Sequence, residues 1–169
     1  MKILLHICCA PCTIYPLEAL RKETGRIEGL FFNPNIHPYL EYRKRLETLR
    51  EFAKHASLAV EEAEDYPMED FLRKTSFMGQ DRCSYCYEMR LRRTAAHARK
   101  GLFDAFTTTL LYSRHQKHDL IRQTGENNVW YRLCRSFLND LRKQLLIWRS
   151  LDAAEKRRYE ELLRRRMGP

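Results

Sequence analysis

Five of the chain's six cysteines fall in two tight groups, Cys8-Cys9-Ala10-Pro11-Cys12 and Cys83-Ser84-Tyr85-Cys86. Thiolates are soft ligands, and sets of four hold structural zinc or an iron–sulfur cluster. Five thiols are one more than either site needs. Neighbouring side chains diverge along an extended chain, so Cys8 and Cys9 are not expected to share one ion. Two metal centres, or one centre and a free reactive thiol, are the readings this count leaves open. A lone Cys-x-x-Cys pair is a weak signal. Cys-Cys-x-x-Cys after a first strand, joined by a second Cys-x-x-Cys near a helix start, is a strong one against inert buried cysteines.

Further residues gather around the thiols. His37 lies in the loop Asn33-Pro34-Asn35-Ile36-His37-Pro38, near a strand end, and is a candidate site residue. Asp81, beside Arg82 and Cys83, could act as an acid or a metal ligand. Arg90, Arg92, Arg93 and Arg99 follow Cys86 along a basic helix, and Tyr85 and Tyr87 interleave with the thiols. Aromatic rings beside basic groups can stack on unpaired bases and hold phosphates. His115, Lys117 and His118 crowd a helix start, where basic charge opposes the macrodipole unless an anion binds. His6 reads as a satisfied core histidine, and His55 and His97 as ordinary helix residues.

The elements that must position these groups can be read from periodicity. Residues 3–7 and 27–32 are apolar runs of strand length, and 58–60 and 103–109 continue the pattern. Pro16 is placed in the first turn of a helix running to about Thr24, with Gly25 as its stop. Residues 39–56 carry Leu40, Leu46, Leu49, Phe52 and Ala53 at mostly helical spacing. A short helix is expected over 67–74, a loop over 76–82, and a basic helix over 84–99. Ser113 is expected to cap a helix ending near Thr124. Alternating strands and helices predict an α/β fold with a mostly parallel sheet, whose ligands bind at the carboxyl ends of its strands. Cys8, Cys9, Asn33, Thr107, Thr108 and Thr109 would then meet at one sheet edge. After Glu126 the alternation stops, and residues 132–149 and 152–166 read as basic helices. The expected organisation is an α/β metal-binding domain over 1–126, with 127–169 a basic helical C-terminal part of the same domain.

Composition narrows the function. The chain has 169 residues and a net charge of +9, and residues 127–169 contribute +6 of it, with 11 Lys and Arg against 5 Asp and Glu. Such a surplus suits a polyanion such as RNA. No apolar run reaches the ~18 residues of a membrane span. The N-terminal layout is not secretory, so a cytoplasmic, reducing setting is expected, where clustered thiols bind metal more often than they form disulfides. The chain has no GxGxxG, no Walker lysine loop and no Gly-x-Ser-x-Gly elbow, which disfavours dinucleotide binding, nucleotide hydrolysis and serine hydrolysis.

His6-Ile7-Cys8-Cys9-Ala10-Pro11-Cys12, Asn33-to-Pro38 with Glu41-Tyr42, Arg82-Cys83-Ser84-Tyr85-Cys86-Tyr87 with Arg90-Leu91, and Phe106-Thr107-Thr108-Thr109-Leu110 with Ser113 together resemble the QueH-type epoxyqueuosine reductase family. The four motifs occur in the family's order and span residues 1 to about 126. The resemblance implies an α/β fold of the nucleotide-hydrolase-like group, a [4Fe–4S] cluster and an additional mononuclear iron or zinc. It implies reduction of the epoxide of epoxyqueuosine in tRNA to the alkene, without cobalamin, with electrons from an external donor protein. On that reading Cys8, Cys9, Cys12, Cys83 and Cys86 hold the metals, and His37 and Asp81 are candidate proton donors. Asn33, Tyr87 and Thr107 to Thr109 would line the base pocket, while Arg90, Arg93 and Lys117 would meet phosphates.

One departure bears on activity. The family carries a late Cys-Gly-Cys motif, whereas residues 127–149 hold only Cys134. Two other readings therefore stand beside the reductase: a zinc module that binds RNA, and a family remnant that folds but has lost cluster ligands. A metal-free thiol oxidoreductase fits less well, because five thiols exceed one redox pair.

Overall fold

In the computed structural model, which describes residues 1–126, β1 (Lys2–Ile7) is flanked on both sides. It pairs in parallel with β2 (Arg26–Phe31) and β4 (Ala105–Thr108), and β2 pairs in parallel with β3 (Ala59–Glu62). The sheet order is β3-β2-β1-β4. A central parallel strand is covered on both faces, which is why β1 is a nearly unbroken apolar run. Ile3, Leu4, Leu5 and Ile7 are all fully buried.

The helices are α1 (Ala10–Glu23), α2 (Tyr39–His55), α3 (Met68–Thr75), α4 (Arg82–Lys100) and α5 (His118–Glu126), with α3 and α4 both between β3 and β4. α2 buries Tyr42, Leu46, Leu49 and Ala53, a stripe at helical spacing, and α4 buries Leu91, Ala95 and Ala98 in the same way. The α/β class and the parallel sheet are as expected. None of these helices is long and apolar enough to cross a membrane.

Three local expectations need correction. Pro16 lies inside α1, not in its first turn. Cys9 adopts extended backbone directly after β1 and serves as the N-cap, so the helix begins at Ala10 with Pro11 in its first turn. Pro16 then cannot donate to the Cys12 carbonyl, a cost α1 tolerates. The basic helix begins earlier than the expected 84, because α4 starts at Arg82 and takes in both Cys83 and Cys86. Ser113 does not cap α5: it ends the 3-10 turn Thr109–Tyr112, and its carbonyl is met by His118 Nε2 at 2.7 Å. The helices expected over 132–149 and 152–166 lie outside the described residues.

Candidate metal centre

The carboxyl ends of β1, β2 and β4 carry the site. Cys8 follows the last residue of β1, Asn33 lies two residues past β2, and Thr109 follows β4. This is the sheet edge at which parallel α/β folds bind ligands.

Cys8, Cys9 and Cys12 have sulfurs within 4.8 Å of one another, with Cys8 Sγ and Cys9 Sγ 3.8 Å apart. The expected divergence of adjacent side chains does not hold here. Alternation applies inside a strand, but the chain leaves β1 and enters α1 between these residues. Cys9 and Cys12 are then three apart at one helix end and face the same way. A metal–sulfur bond of about 2.3 Å in a tetrahedron gives sulfur–sulfur edges of about 3.8 Å. The Cys8–Cys9 spacing matches such an edge, and the three sulfurs lie close enough together to hold a thiophilic metal. Their position at the N-terminus of a 14-residue helix also favours negative charge.

The thiols do not titrate alike. Hydrogen bonds from Cys12 and Cys9 hold the Cys8 thiol well below its usual value, aided by Thr109 against the cost of burial. Cys12 pulls Cys9 downward, but Cys8 and burial outweigh it and push Cys9 up to about 12. Bonding to Cys8 and Cys9, then burial, raise Cys12 further. The mutual hydrogen bonds thus favour negative charge on Cys8 over the other two thiols.

Thr109 fixes that thiolate. Its hydroxyl accepts from Cys8 N at 3.0 Å and donates to Cys8 Sγ at 3.2 Å. Thr108 Oγ1 is 2.8 Å from His6 Nδ1 and also accepts from Leu110 N. His6 Nε2 lies 3.1 Å from the Phe32 carbonyl, which can only accept, so this nitrogen carries the ring proton. Burial, then the Arg90 charge, lowers His6 to about 4 and keeps it neutral. The core-histidine reading of His6 is borne out. Asn33 Nδ2 donates to the Ile7 carbonyl at 2.8 Å, tying β2 to β1 just before the thiols.

Cys83 and Cys86 face the same pocket from α4. Burial raises the Cys86 thiol, with Arg90 partly offsetting it. Arg90 Nη2 lies 3.1 Å from Cys86 Sγ, and its Nε donates to the Cys86 carbonyl. Arg90 is 4% exposed and has no carboxylate partner among the described residues. A buried guanidinium needs a counter-charge. The anion available to it is the thiol site itself.

The pocket between these groups has a volume of about 460 Å³ and is lined by all five cysteines, together with Asn35, Arg45, Arg82, Tyr87 and Arg90. A larger groove of about 900 Å³ between α1 and α2 contains no thiol, and its size alone gives it no chemistry. Tyr87 is buried and donates to Gln116 Oε1 at 2.7 Å while accepting from Lys117 N. The Lys117 side chain is exposed. His37 and Asp81 are both exposed and lie next to pocket residues without lining the pocket, and Arg82 donates to His37 Nε2 at 3.2 Å. The Thr107 hydroxyl is buried without a partner. Asn35 was not singled out from sequence, yet its Oδ1 is buried, unpartnered and beside the pocket. Its place between two prolines was the available signal.

A parallel α/β domain with two thiol groups lining one pocket is of the class whose clustered cysteines could hold a metal. Comparison with known families makes this specific: residues 3–161 match the family described as Epoxyqueuosine reductase QueH, and the chain belongs to it. An "Epoxyqueuosine reductase QueH" of Dehalococcoides mccartyi is 35% identical over 117 residues, covering 69% of this chain and 64% of that protein. The protein of the same name from Thermotoga maritima is 36% identical over 132 residues, covering 73% and 66%. The one from Helicobacter pylori is 37% identical over 132 residues, covering 74% and 36%. The chain spans about half to two thirds of the length of the first curated relatives it matches.

Proposed function

We propose that this chain reduces epoxyqueuosine in tRNA to queuosine, with its electrons drawn from an external donor protein. The observation that carries the reading is the convergence of five cysteines and an acid-free, buried Arg90 on one pocket. Cys8, Cys9, Cys12, Cys83 and Cys86 would hold a [4Fe–4S] cluster and an additional iron or zinc. When bound, that set supplies electrons singly and a Lewis-acid site for the epoxide oxygen.

The chain's own residues do the remainder. Removing the epoxide oxygen as water takes two electrons and two protons and leaves the carbon–carbon double bond. His37 and Asp81, beside the pocket mouth, are the candidate proton donors. Asn35 Oδ1 offers a free acceptor to a donor group of the substrate ring. Thr108, Thr109 and Asn33 are buried behind the pocket wall and hold His6, Cys8 and the end of β1 in place. Tyr87 closes one side of the pocket, and Arg90 holds positive charge against the thiolates.

The test is anaerobic incubation of the reconstituted protein and a reductant with tRNA bearing the epoxide, followed by nucleoside analysis. Queuosine formation that is lost in Cys8→Ser and Cys86→Ser is expected. Intact epoxide at full metal loading would overturn the reading. Cys134→Ser, measured in parallel for iron content, asks whether the late cysteine is a ligand: unchanged iron excludes it.

A zinc module that binds RNA is the second reading, favoured by the 3.8 Å Cys8–Cys9 spacing, which matches an edge of a mononuclear site. It predicts one tightly held, colourless metal and no electron uptake.

A further inference from the structure

Exposed large apolar side chains are few in the described residues. Phe77 is 99% exposed, Leu40 75% and Tyr39 53%. The other two, Met1 and Leu102, belong to segments at the amino ends of the strands, whereas these three belong to segments that adjoin, along the chain, residues lining the thiol pocket. Ile36, Phe71 and Arg82 line that pocket. His37 to Leu40 continue directly from Ile36. Residues 76–81 connect Phe71's helix to Arg82. The two segments are joined where Arg82 donates to His37.

The segment bearing Phe77 is a built projection. Ser76 N, Met78 N and Asp81 N each bond a carbonyl three or four residues back, and Gly79 takes a positive φ of 50° to close the turn. The backbone is held, yet the ring at its tip touches solvent on nearly all sides. Tyr39 is buttressed behind by Tyr42 and Tyr66, with ring centroids 6.2 and 5.8 Å away, and its outer part stays open. Basic groups stand alongside: Arg73 and Lys74 precede Phe77, and Arg82 follows it. Asp70 is paired with Arg73 at 3.5 Å, while Lys74 lies over the Tyr85 ring at 5.8 Å and Arg82 over the Phe71 ring at 5.4 Å, so neither of these cations is held by a carboxylate in an ion pair among the described residues.

We propose that Phe77 and Tyr39 form a stacking rim that grips unpaired bases of an RNA loop flanking the nucleotide in the thiol pocket. This rests on the reading that an RNA enters that pocket. Aromatic faces beside basic side chains suit single-stranded nucleic acid, because every base has a face to stack and a phosphate to neutralise. The chain's positive charge makes a polyanion the fitting occupant. The stacking role expected of Tyr85 and Tyr87 passes to the rim, because Tyr87 is buried and Tyr85 is half-buried against Phe71.

The test is binding of the full chain to a labelled RNA hairpin with an unpaired loop, and to a fully paired duplex. Phe77→Ala should weaken hairpin binding about tenfold and leave duplex binding unchanged. Phe77→Trp should retain hairpin affinity, and Phe77→Leu should not. Wild-type hairpin affinity in Phe77→Ala or Phe77→Leu would overturn the rim. So would sedimentation showing self-association that Phe77→Ala abolishes, since the patch would then join two copies. Phe77-dependent hairpin binding without epoxide reduction keeps the rim and removes the reaction. Reduction with an unchanged KM in Phe77→Ala does the reverse.

Discussion

Two buried basic side chains show how the site is kept charged and shaped. Arg90 sits at 4% exposure with a sulfur and a carbonyl as its polar contacts. Positive charge and hydrogen bonds at the sulfurs raise the potential of a thiolate-bound cluster. Arg90→Gln should therefore lower the reduction potential of the reconstituted protein, with Arg90→Lys in between, in a spectroelectrochemical titration. An unchanged potential would mean that Arg90 does not face the ligated sulfurs. His6 plays the neutral counterpart. Its two nitrogens connect β4 to the end of β2 through Thr108 and Phe32, one residue before the turn that leads to Cys8. His6→Leu would strand a buried carbonyl and a buried hydroxyl, each worth roughly 1–3 kcal/mol. A loss of about 2–4 kcal/mol is expected in chemical denaturation of the metal-free protein. A loss below about 0.5 kcal/mol would show that water or a neighbour takes over both bonds.

At the scale of elements, the thiols are aimed by strand register. Gly29 on β2 pairs with Leu5. A Cβ there would come within 2.6 Å of Ile7 Cδ1 and 3.0 Å of Val60 Cγ2. Ile7 is fully buried and is the residue before Cys8. Gly29→Ala should cost about 1–3 kcal/mol as overpacking and shift the Cys8 turn. Gly25→Ala, with open space around its Cβ, should be neutral or slightly stabilising. Equal denaturation midpoints for the two would refute the role of register. The elements themselves were largely legible, because β1 and α2 bury stripes whose periods are written in side-chain type. The handover from β1 to α1 was not. It turns on Cys9 acting as N-cap, for which its side chain gives no signal, so residue type alone puts Pro16 in the first turn. The closeness of Cys8 and Cys9 was hidden for the same reason, since period-two alternation ends where the chain turns. Asn35, Thr109 and Arg90 needed contacts between distant elements, and local pattern could only mark their segments.

Across the whole molecule, charge is divided unevenly. Residues 1–126 carry +3 and residues 127–169 carry +6 of the net +9. If the thiol pocket acts on RNA, the pocket supplies specificity while the basic surplus supplies attraction, which depends on salt because each phosphate contact releases a counterion. The slope of log K against log salt should then be steep and negative, by about 0.7 per neutralised phosphate on single strands and 0.9 on duplex. Replacing Arg164, Arg165 and Arg166 together by Gln should flatten that slope by up to about 2 to 3 without altering the preference for a looped over a paired RNA. Phe77→Ala should do the opposite, reducing loop preference at an unchanged slope, since a stacked ring releases no counterion. The two variants read out two separable terms. A triple variant with the wild-type slope would show that these arginines touch no phosphate and that the surplus serves solubility. A Phe77→Ala slope that flattens would show that the ring only positions Lys74 or Arg82 on the backbone, and that affinity at the pocket mouth is electrostatic.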